Sequence, residues 1–506
     1  KLDALSMYLE PGNIKLAAAD SLKNVTITGS PVNDDAKKSY DVPAESLLSN
    51  AQKELSDQLT TPSVNNNPLR YYVQYWAATL YPAESRYNLT TRTIADTHWT
   101  KLYQDVLGNL KTSEEVLKTQ TKPDATSESD WQKQQQNKVA ILEILRVYTY
   151  QILVDTFGDV PYSESLKGSG DYLTKYDKAV DIYKDLIVRL NKDIAGLDTS
   201  KPAFGSAEVI YKDNLTAWIK FANSIKLKLG INLKSSGLES AIADAAIISG
   251  AAGGFTSNAD NAKLPYMLDL PNTNPLYVDM VFSGRNDFVV AKPFVDKLVA
   301  LNDPRKTPYF RPTYKDTNAA GDLITVTGYR GGIVGIKNSQ SRYTHASDKI
   351  KAPDFSGTLL DYAEVEFLLA EASGRGVAVG GTIASHYNAA ILASMEDWGV
   401  SLADANTYLA QPAVAYATAT GTWQQKVGEQ AWYALFNRGF EGWTSTRRLD
   451  FPVLTAPASA DAAAEGKVPS RMAYPIREQT LNATNYNAAS TSIGGDKLST
   501  KIFWDK

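Results

Sequence analysis

The chain has no cysteine. Disulfides, thiolate nucleophiles, cysteine-bound zinc and iron–sulfur clusters are thereby excluded. Histidine is nearly as scarce: three residues, at 98, 345 and 386, lie far apart in sequence. That leaves little for a histidine-rich metal site or a Ser–His–Asp triad. No apolar run approaches the roughly 20 residues of a membrane-spanning helix. The opening KLDALSMYLE lacks the basic and then apolar order of a signal peptide. The chain therefore reads as cytosolic or as a trimmed exported form. An excess of one charge is missing too: 52 Lys and Arg stand against 56 Asp and Glu, a net −4 without basic clusters. A nucleic-acid binder needs a basic face, so that class is set aside.

Aromatic rings are plentiful. Among 506 residues there are 28 Tyr and 9 Trp. These side chains combine an apolar face with a polar handle, the type found at wet interfaces and sugar sites, and also in helical cores. Apolar residues make up 43 % of the chain, ample for a large core.

Apolar spacing predicts helices over Ala44–Leu59, Pro68–Leu80, Trp99–Thr119, Val139–Val154, Asp177–Leu197, Leu215–Leu233 and Ala241–Ser249. Asp124–Gln136 reads as a polar entry to the fourth. The rhythm of helix, short turn, helix points to stacked pairs of tetratricopeptide type, although no strict sequence repeat is present. From about residue 249 to 355 helical spacing fades, with only Lys292–Leu301 keeping it. Short β-hairpin pieces are expected at Leu323–Val326 and Ile333–Ile336. Helix returns at Leu359–Ala372 and Ser385–Trp398. Ala403–Thr422 reads as a low-complexity surface crossing. The expected fold is mostly α: a helix-pair scaffold over 43–248, an irregular variable lobe over 249–355, a further helix pair over 356–400 and a closing segment over 401–506. All are read as parts of one domain.

The stretch Glu429–Asp450, EQAWYALFNRGFEGWTSTRRLD, is the pivot of the chain. Trp432, Leu435, Phe436 and Gly439 share one helical face. Gly439 and Gly442 are then expected to break the helix. Phe440, Trp443, Arg447 and Arg448 follow, with Glu441 and Asp450 as available partners. This density of rings and guanidinium groups reads as a helix end locked into a core by stacking and ion pairs.

Motifs for chemistry are weak. The glycine-rich stretches Tyr329–Asn338 and Ser373–Thr382 lack the order of a phosphate-binding loop and read as turns. Carboxylate pairs such as Glu364/Glu366 and Glu441/Asp450 are too frequent by chance to mark a glycosidase. Glu364 and Glu371 read instead as salt-bridge formers. The lone histidines read as surface or hydrogen-bonded groups.

What remains is a set of rings and planar polar side chains in non-helical segments: Tyr81, Arg86, Tyr87 and Asn88; Tyr266, Tyr277, Phe282, Arg285, Asn286 and Asp287; Tyr309, Tyr314, Arg342 and Tyr343. Aromatic faces stack on the C–H faces of sugars, and Asn, Asp and Arg reach the hydroxyls. This set is the expected ligand face. No catalytic residue, metal ligand or cofactor is assigned, and a structural calcium ion is left open.

Several stretches resemble the SusD/RagB family of nutrient-binding outer-membrane lipoproteins of Bacteroidetes. Ala434–Pro452, ALFNRGFEGWTSTRRLDFP, is similar to the family's ALFxxGxExWxxxRRxxxP. FGDVPYSES (Phe157–Ser165), WIKFANSIKLKLGIN (Trp218–Asn232), SGRNDFVVAKPFVDKLVALNDPR (Ser283–Arg305), DYAEVEFLLAEASGRG (Asp361–Gly376), HYNAAILASMEDWGV (His386–Val400) and RMAYPIREQTLNATNY near the end resemble other family segments, in the family's order. The resemblance implies four tetratricopeptide-like helix pairs carrying an irregular lobe with the ligand site. It implies a binding protein, not an enzyme. Such a protein captures a glycan, or in some members a peptide, and passes it to a SusC-like TonB-dependent β-barrel. It would sit on the cell surface through an N-terminal lipidated cysteine, which these 506 residues do not contain. It also places the ligand loop at Tyr81–Asn88. An all-helical glycoside hydrolase and a protein-binding tetratricopeptide scaffold remain the rival readings.

Overall fold

The computed structural model describes residues 42–90, 92–167 and 173–506. Residues 1–42, whose polar PGN and SPVNDD turn signals read as loop, lie but for the last outside them. The fold is mostly helical. Its first part runs α1 (Ala44–Thr60), α2 (Leu69–Tyr72), β1 (Trp76–Ala78) and α3 (Ile94–Thr100). A π-helical stretch, Lys101–Gly108, then leads into α4 (Asn109–Thr119). After it come α5 (Glu128–Phe157), α6 (Ala179–Gly196), α7 (Leu215–Ser236) and α8 (Ser240–Gly253).

The lobe that follows is broken into short pieces: β2 (Ala262–Leu264), α9 (Pro275–Tyr277) with a π-helical turn to Phe282, β3 (Phe288–Val290), α10 (Lys292–Ala300) and α11 (Lys306–Tyr309). The strands β4 (Thr313–Thr317), β5 (Leu323–Thr327) and β6 (Gly357–Leu360) complete it. Helix resumes with α12 (Tyr362–Gly374), α13 (Ile383–Asp397), α14 (Leu402–Leu409), α15 (Trp423–Ala434), α16 (Gly439–Leu449), α17 (Ile476–Leu481) and α18 (Ala483–Ser492).

Four helix pairs make the frame: α1 with α4, α5 with α6, α7 with α8, and α12 with α13. One continuous apolar cluster joins α1, α5 and α7 to Phe294, Trp432, Phe436 and Trp443. A second cluster lies under α13, α14 and α15. Helix α5 starts well before the expected Val139. Ser127 caps it by accepting a hydrogen bond from the Asp130 N–H, and its first turns carry polar residues in water. Only from Asn137 onward is it buried on nearly all sides.

The expected helix Pro68–Leu80 is a single turn and then a strand. Gln74 has a left-handed backbone (φ 53°), and β1 pairs antiparallel with β3, Trp76 opposite Val290 and Ala78 opposite Phe288. β4 and β5 form the expected hairpin, Thr313 opposite Thr327. Ile333–Ile336 is not a strand. The side chain of Asn338 donates to the carbonyls of Ile333 (2.9 Å) and Ile336 (3.1 Å) and folds the segment into a turn. Part of the low-complexity stretch after residue 402 is helical, as α14.

The pivotal stretch also differs in detail. The break falls at Asn437 (φ 70°), and Gly439–Leu449 is a regular helix. Its glycines are close-approach positions: a Cβ on Gly439 would lie 2.8 Å from the Arg70 nitrogen, and one on Gly442 2.6 Å from the Tyr75 hydroxyl. The stacking expectation holds. Arg447 lies 3.5 Å from the ring centroid of Trp443, whose indole N–H donates to the Pro469 carbonyl. Asp450 has no role in it; Arg448 pairs with Glu371, and Arg447 donates to the Ser470 carbonyl.

Candidate functional site: a groove between the Tyr81 loop and the Asp279–Phe288 segment

The β1–β3 pairing brings two distant loops together. It is extended by the Thr79 N–H, which donates to the Asp287 carbonyl at 2.9 Å. The loop after β1 therefore faces the segment before β3. Between them lies a cavity of about 460 Å³, with Pro62–Asn65, Tyr81–Glu84 and Arg92 on one side and Asp279, Met280, Arg285, Asp287 and Phe288 on the other. Tyr71 closes its floor, tilted against Phe288 at 5.9 Å.

Tyr81 is 64 % exposed, and nearby Phe282 63 %. Large rings left this open are unfavourable in water unless something covers them. Arg285 pairs with Asp287 at 2.9 Å. Glu84 pairs with Arg92, and Arg92 also donates to Asn65 at 2.9 Å. The groove thus combines an apolar face with planar polar groups, an arrangement that can stack a ring and hydrogen-bond its edge. Its volume holds about one or two sugar rings, with the rest of a chain running outward.

Of the expected ligand face, Tyr81, Arg285 and Asp287 line this groove, and Phe282 and Asn286 sit on the same segment. Others do different work. Tyr87 is fully buried with a left-handed backbone (φ 61°), its ring edge-on to Tyr72, so it is a core residue that shapes the loop. Arg86 donates to the Gly335 carbonyl at 2.7 Å and ties two loops together. Asn88 is exposed just outside. Tyr266 is buried, its hydroxyl donating to Asp57 at 2.7 Å. Tyr309 is fully buried against Trp398 and Phe436. Neither Tyr87, Tyr266 nor Tyr309 offers a ring to a ligand here; Tyr266 and Tyr309 are held by partners far away in sequence. Tyr277 is half-buried on α9. Tyr314 lies under Arg330 (4.1 Å) on the β4–β5 hairpin, with Arg342 paired to Asp316 alongside. Tyr343 packs on Ala77 and Val289, behind the β1–β3 pair. Glu84, Arg92 and Asp279 were not singled out in the sequence, where they read as three among many charged residues.

A second cavity, of about 380 Å³, opens where α15 meets α16, lined by Phe436, Arg438, Glu441, Asp361 and Trp398 among others. Behind it a buried ion cluster joins the helix pairs. Lys228 of α7 holds Glu364 of α12 (3.0 Å) and Glu441 of α16; Arg438 holds Asp361 (2.8 Å) and Glu364 (2.6 Å). Burial and the charge of Glu364 push the Glu441 carboxyl up. Burial also works against the charge of Glu364, but Lys228 and Arg438 outweigh it and hold that carboxyl low. Glu371 likewise holds Arg375 and Arg448, and Glu366 accepts from His386 at 2.7 Å. These acids are fastened between helices, as expected of Glu364 and Glu371. Among the described residues no helix is long and apolar enough to cross a membrane.

A helix-pair frame that carries an irregular lobe with an open, ring-edged groove defines a ligand-binding protein of SusD type. The family model described as "Starch-binding associating with outer membrane" matches residues 36–475, and the chain belongs to that SusD-like family. A sequence comparison with curated proteins finds no match. Solved structures with the same fold include a SusD homolog from Bacteroides uniformis, 24 % identical, covering 91 % of this chain and 99 % of its own, with a TM-score of 0.72. A chitin-binding SusD homolog from Flavobacterium johnsoniae is 23 % identical, covering 92 % and 98 %, with a TM-score of 0.72. A Bacteroidetes AC2a SusD-like protein is 22 % identical, covering 92 % and 100 %, with a TM-score of 0.75.

Proposed function

We propose that this protein is a non-catalytic nutrient-binding subunit at the bacterial cell surface. It captures an oligosaccharide or polysaccharide in the groove beside Tyr81. It then delivers the glycan to a SusC-like TonB-dependent transporter, on which it rests as a lid while an N-terminal lipid anchor holds it to the outer membrane. The observation that carries this reading is the groove itself, in which an exposed tyrosine faces the paired Arg285 and Asp287 across about 460 Å³. Membership of a family described as starch-binding and associating with the outer membrane supports it. So does the chitin-binding description of one protein of the same fold.

The rival hydrolase reading needs two acids placed across one open cleft. Glu364 and Glu371 are held in buried ion pairs between helices, and of the acids at the groove Glu84 and Asp287 are each paired with an arginine.

Native affinity electrophoresis through gels containing single polysaccharides tests the proposal. Retardation in one gel, lost in Tyr81→Ala, is the expected result. Retardation that survives both Tyr81→Ala and Phe282→Ala would place the ligand elsewhere. No retardation in any gel would favour peptide ligands and the protein-binding scaffold.

A further inference from the structure

The groove carries more acceptors than the protein itself uses. Three carboxylates face it, Glu84, Asp279 and Asp287, against two guanidinium groups, Arg92 and Arg285. Each arginine is taken by one acid: Arg92 by Glu84, and Arg285 by Asp287. Asp279 is left over. It is half-buried, and its carboxylate has neither an ion pair nor a hydrogen-bond donor among the described residues. The two paired acids are not saturated either. Oε2 of Glu84 and Oδ1 of Asp287 are buried and accept nothing from the protein.

A carboxylate partly withdrawn from water and left without donors is less well solvated than a free one, so a ligand that brings donors is favoured there. The local field agrees with the geometry. Burial pushes the Asp279 carboxyl up, Arg285 opposes the push and Asp287 adds to it. An anionic ligand meets the opposite situation. It would sit beside a third, unpaired acid, with the charge of each guanidinium already balanced by an acid of the protein.

We infer that this groove reads its glycan through the ligand's donors, preferring chains with free ammonium groups to neutral chains and rejecting uronate and sulfated chains. The inference rests on the proposal that the groove is the glycan site. It adds the chemical class that the site accepts. Asp279 is the discriminating residue, because it alone holds an unpaired charge that a ligand can reach.

A printed oligosaccharide array carrying neutral, glucosamine-type, uronate and sulfated chains tests this, followed by calorimetry at low salt with the chains retained. The expected order is glucosamine-type, then neutral, then acidic, with at least tenfold between the first and last. Asp279→Asn should weaken the glucosamine-type chain about fivefold or more, change a neutral chain less than twofold and narrow the rejection of acidic chains. A uronate or sulfated chain bound as tightly as the others would overturn the inference while leaving a glycan site in place. So would an unchanged order in Asp279→Asn, provided that Tyr81→Ala still weakens binding about tenfold. Binding to no chain on the array would overturn the inference and the glycan reading of the groove together.

Discussion

Tyr81 stands at the groove mouth with most of its ring in water, held by backbone pairing behind it and not by side-chain packing. Removing the ring therefore leaves the core intact. Tyr81→Ala should lower ligand affinity by about 1.5 kcal/mol, roughly tenfold in Kd, with no change in Tm. Calorimetry alongside thermal melting checks both halves. Tyr87, six residues further on, has the opposite nature. Its ring is buried, so Tyr87→Ala should cost about 3 kcal/mol or more of stability.

A second residue-scale prediction concerns pH. Burial lowers the His98 pKa to about 4. Gln58 approaches Nδ1 of the ring at 2.7 Å while its own side chain donates to the Asn66 carbonyl; Nδ1 is thus the acceptor, and Nε2, which carries the proton, has no partner. A second proton would face an amide donor in a dry site. The folded pKa lies below the unfolded value of roughly 6.5, so the unfolded state binds more protons between pH 6.5 and 4. Stability from this group is present above pH 6.5 and is lost as the pH falls toward 4, by about 3 kcal/mol. Urea unfolding at pH 7 and pH 4 should show that loss in the native protein, and His98→Gln should reduce the difference by about that amount.

At the scale of elements, the frame depends on close helix contact. Gly250 of α8 lies so near α7 that a Cβ would stand 2.6 Å from the Leu227 nitrogen and 2.8 Å from the Asn223 carbonyl oxygen. Both atoms are backbone and cannot move aside singly. Gly250→Ala should cost about 1–3 kcal/mol in denaturant unfolding, with ligand affinity unchanged. The ion cluster gives a larger effect. Lys228→Met leaves Glu364 and Glu441 buried without their shared cation and should destabilise by about 3–5 kcal/mol.

The elements also show what could be read in the sequence. Helices α1, α6, α7 and α13 were legible to within a few residues because their apolar spacing is a local signal. The first turns of α5 carry no apolar stripe, so periodicity could not find them. β1 was misread as helix because its partner, β3, lies more than two hundred residues away. The candidate site was legible in the same measure. The exposed Tyr81 and the polar segment through Asp287 were visible as rings and forks outside helices. Tyr266 and Tyr309 looked identical to them in sequence. Their burial is decided by Asp57, Trp398 and Phe436, which only the folded chain brings near. Asp279 was invisible for the converse reason: its lack of a partner is a property of the fold.

The whole molecule is a rigid helical frame with its irregular lobe and groove on one side. The pivotal stretch does not touch that groove. It joins the frame to the lobe, through Trp432 and Phe436 against Phe294, and through Arg438 against α12. Its sequence signature therefore marks the fold and, on the function proposed here, is separate from ligand choice. The central claim is that a glycan occupies this groove. The most direct measurement is a crystal structure of the protein with an oligosaccharide that it binds. The account predicts the sugar between Tyr81 and the Asp279–Asp287 segment, with a ring against Tyr81. Sugar in the cavity beside Trp398 and Phe436, with the Tyr81 groove empty, would contradict it.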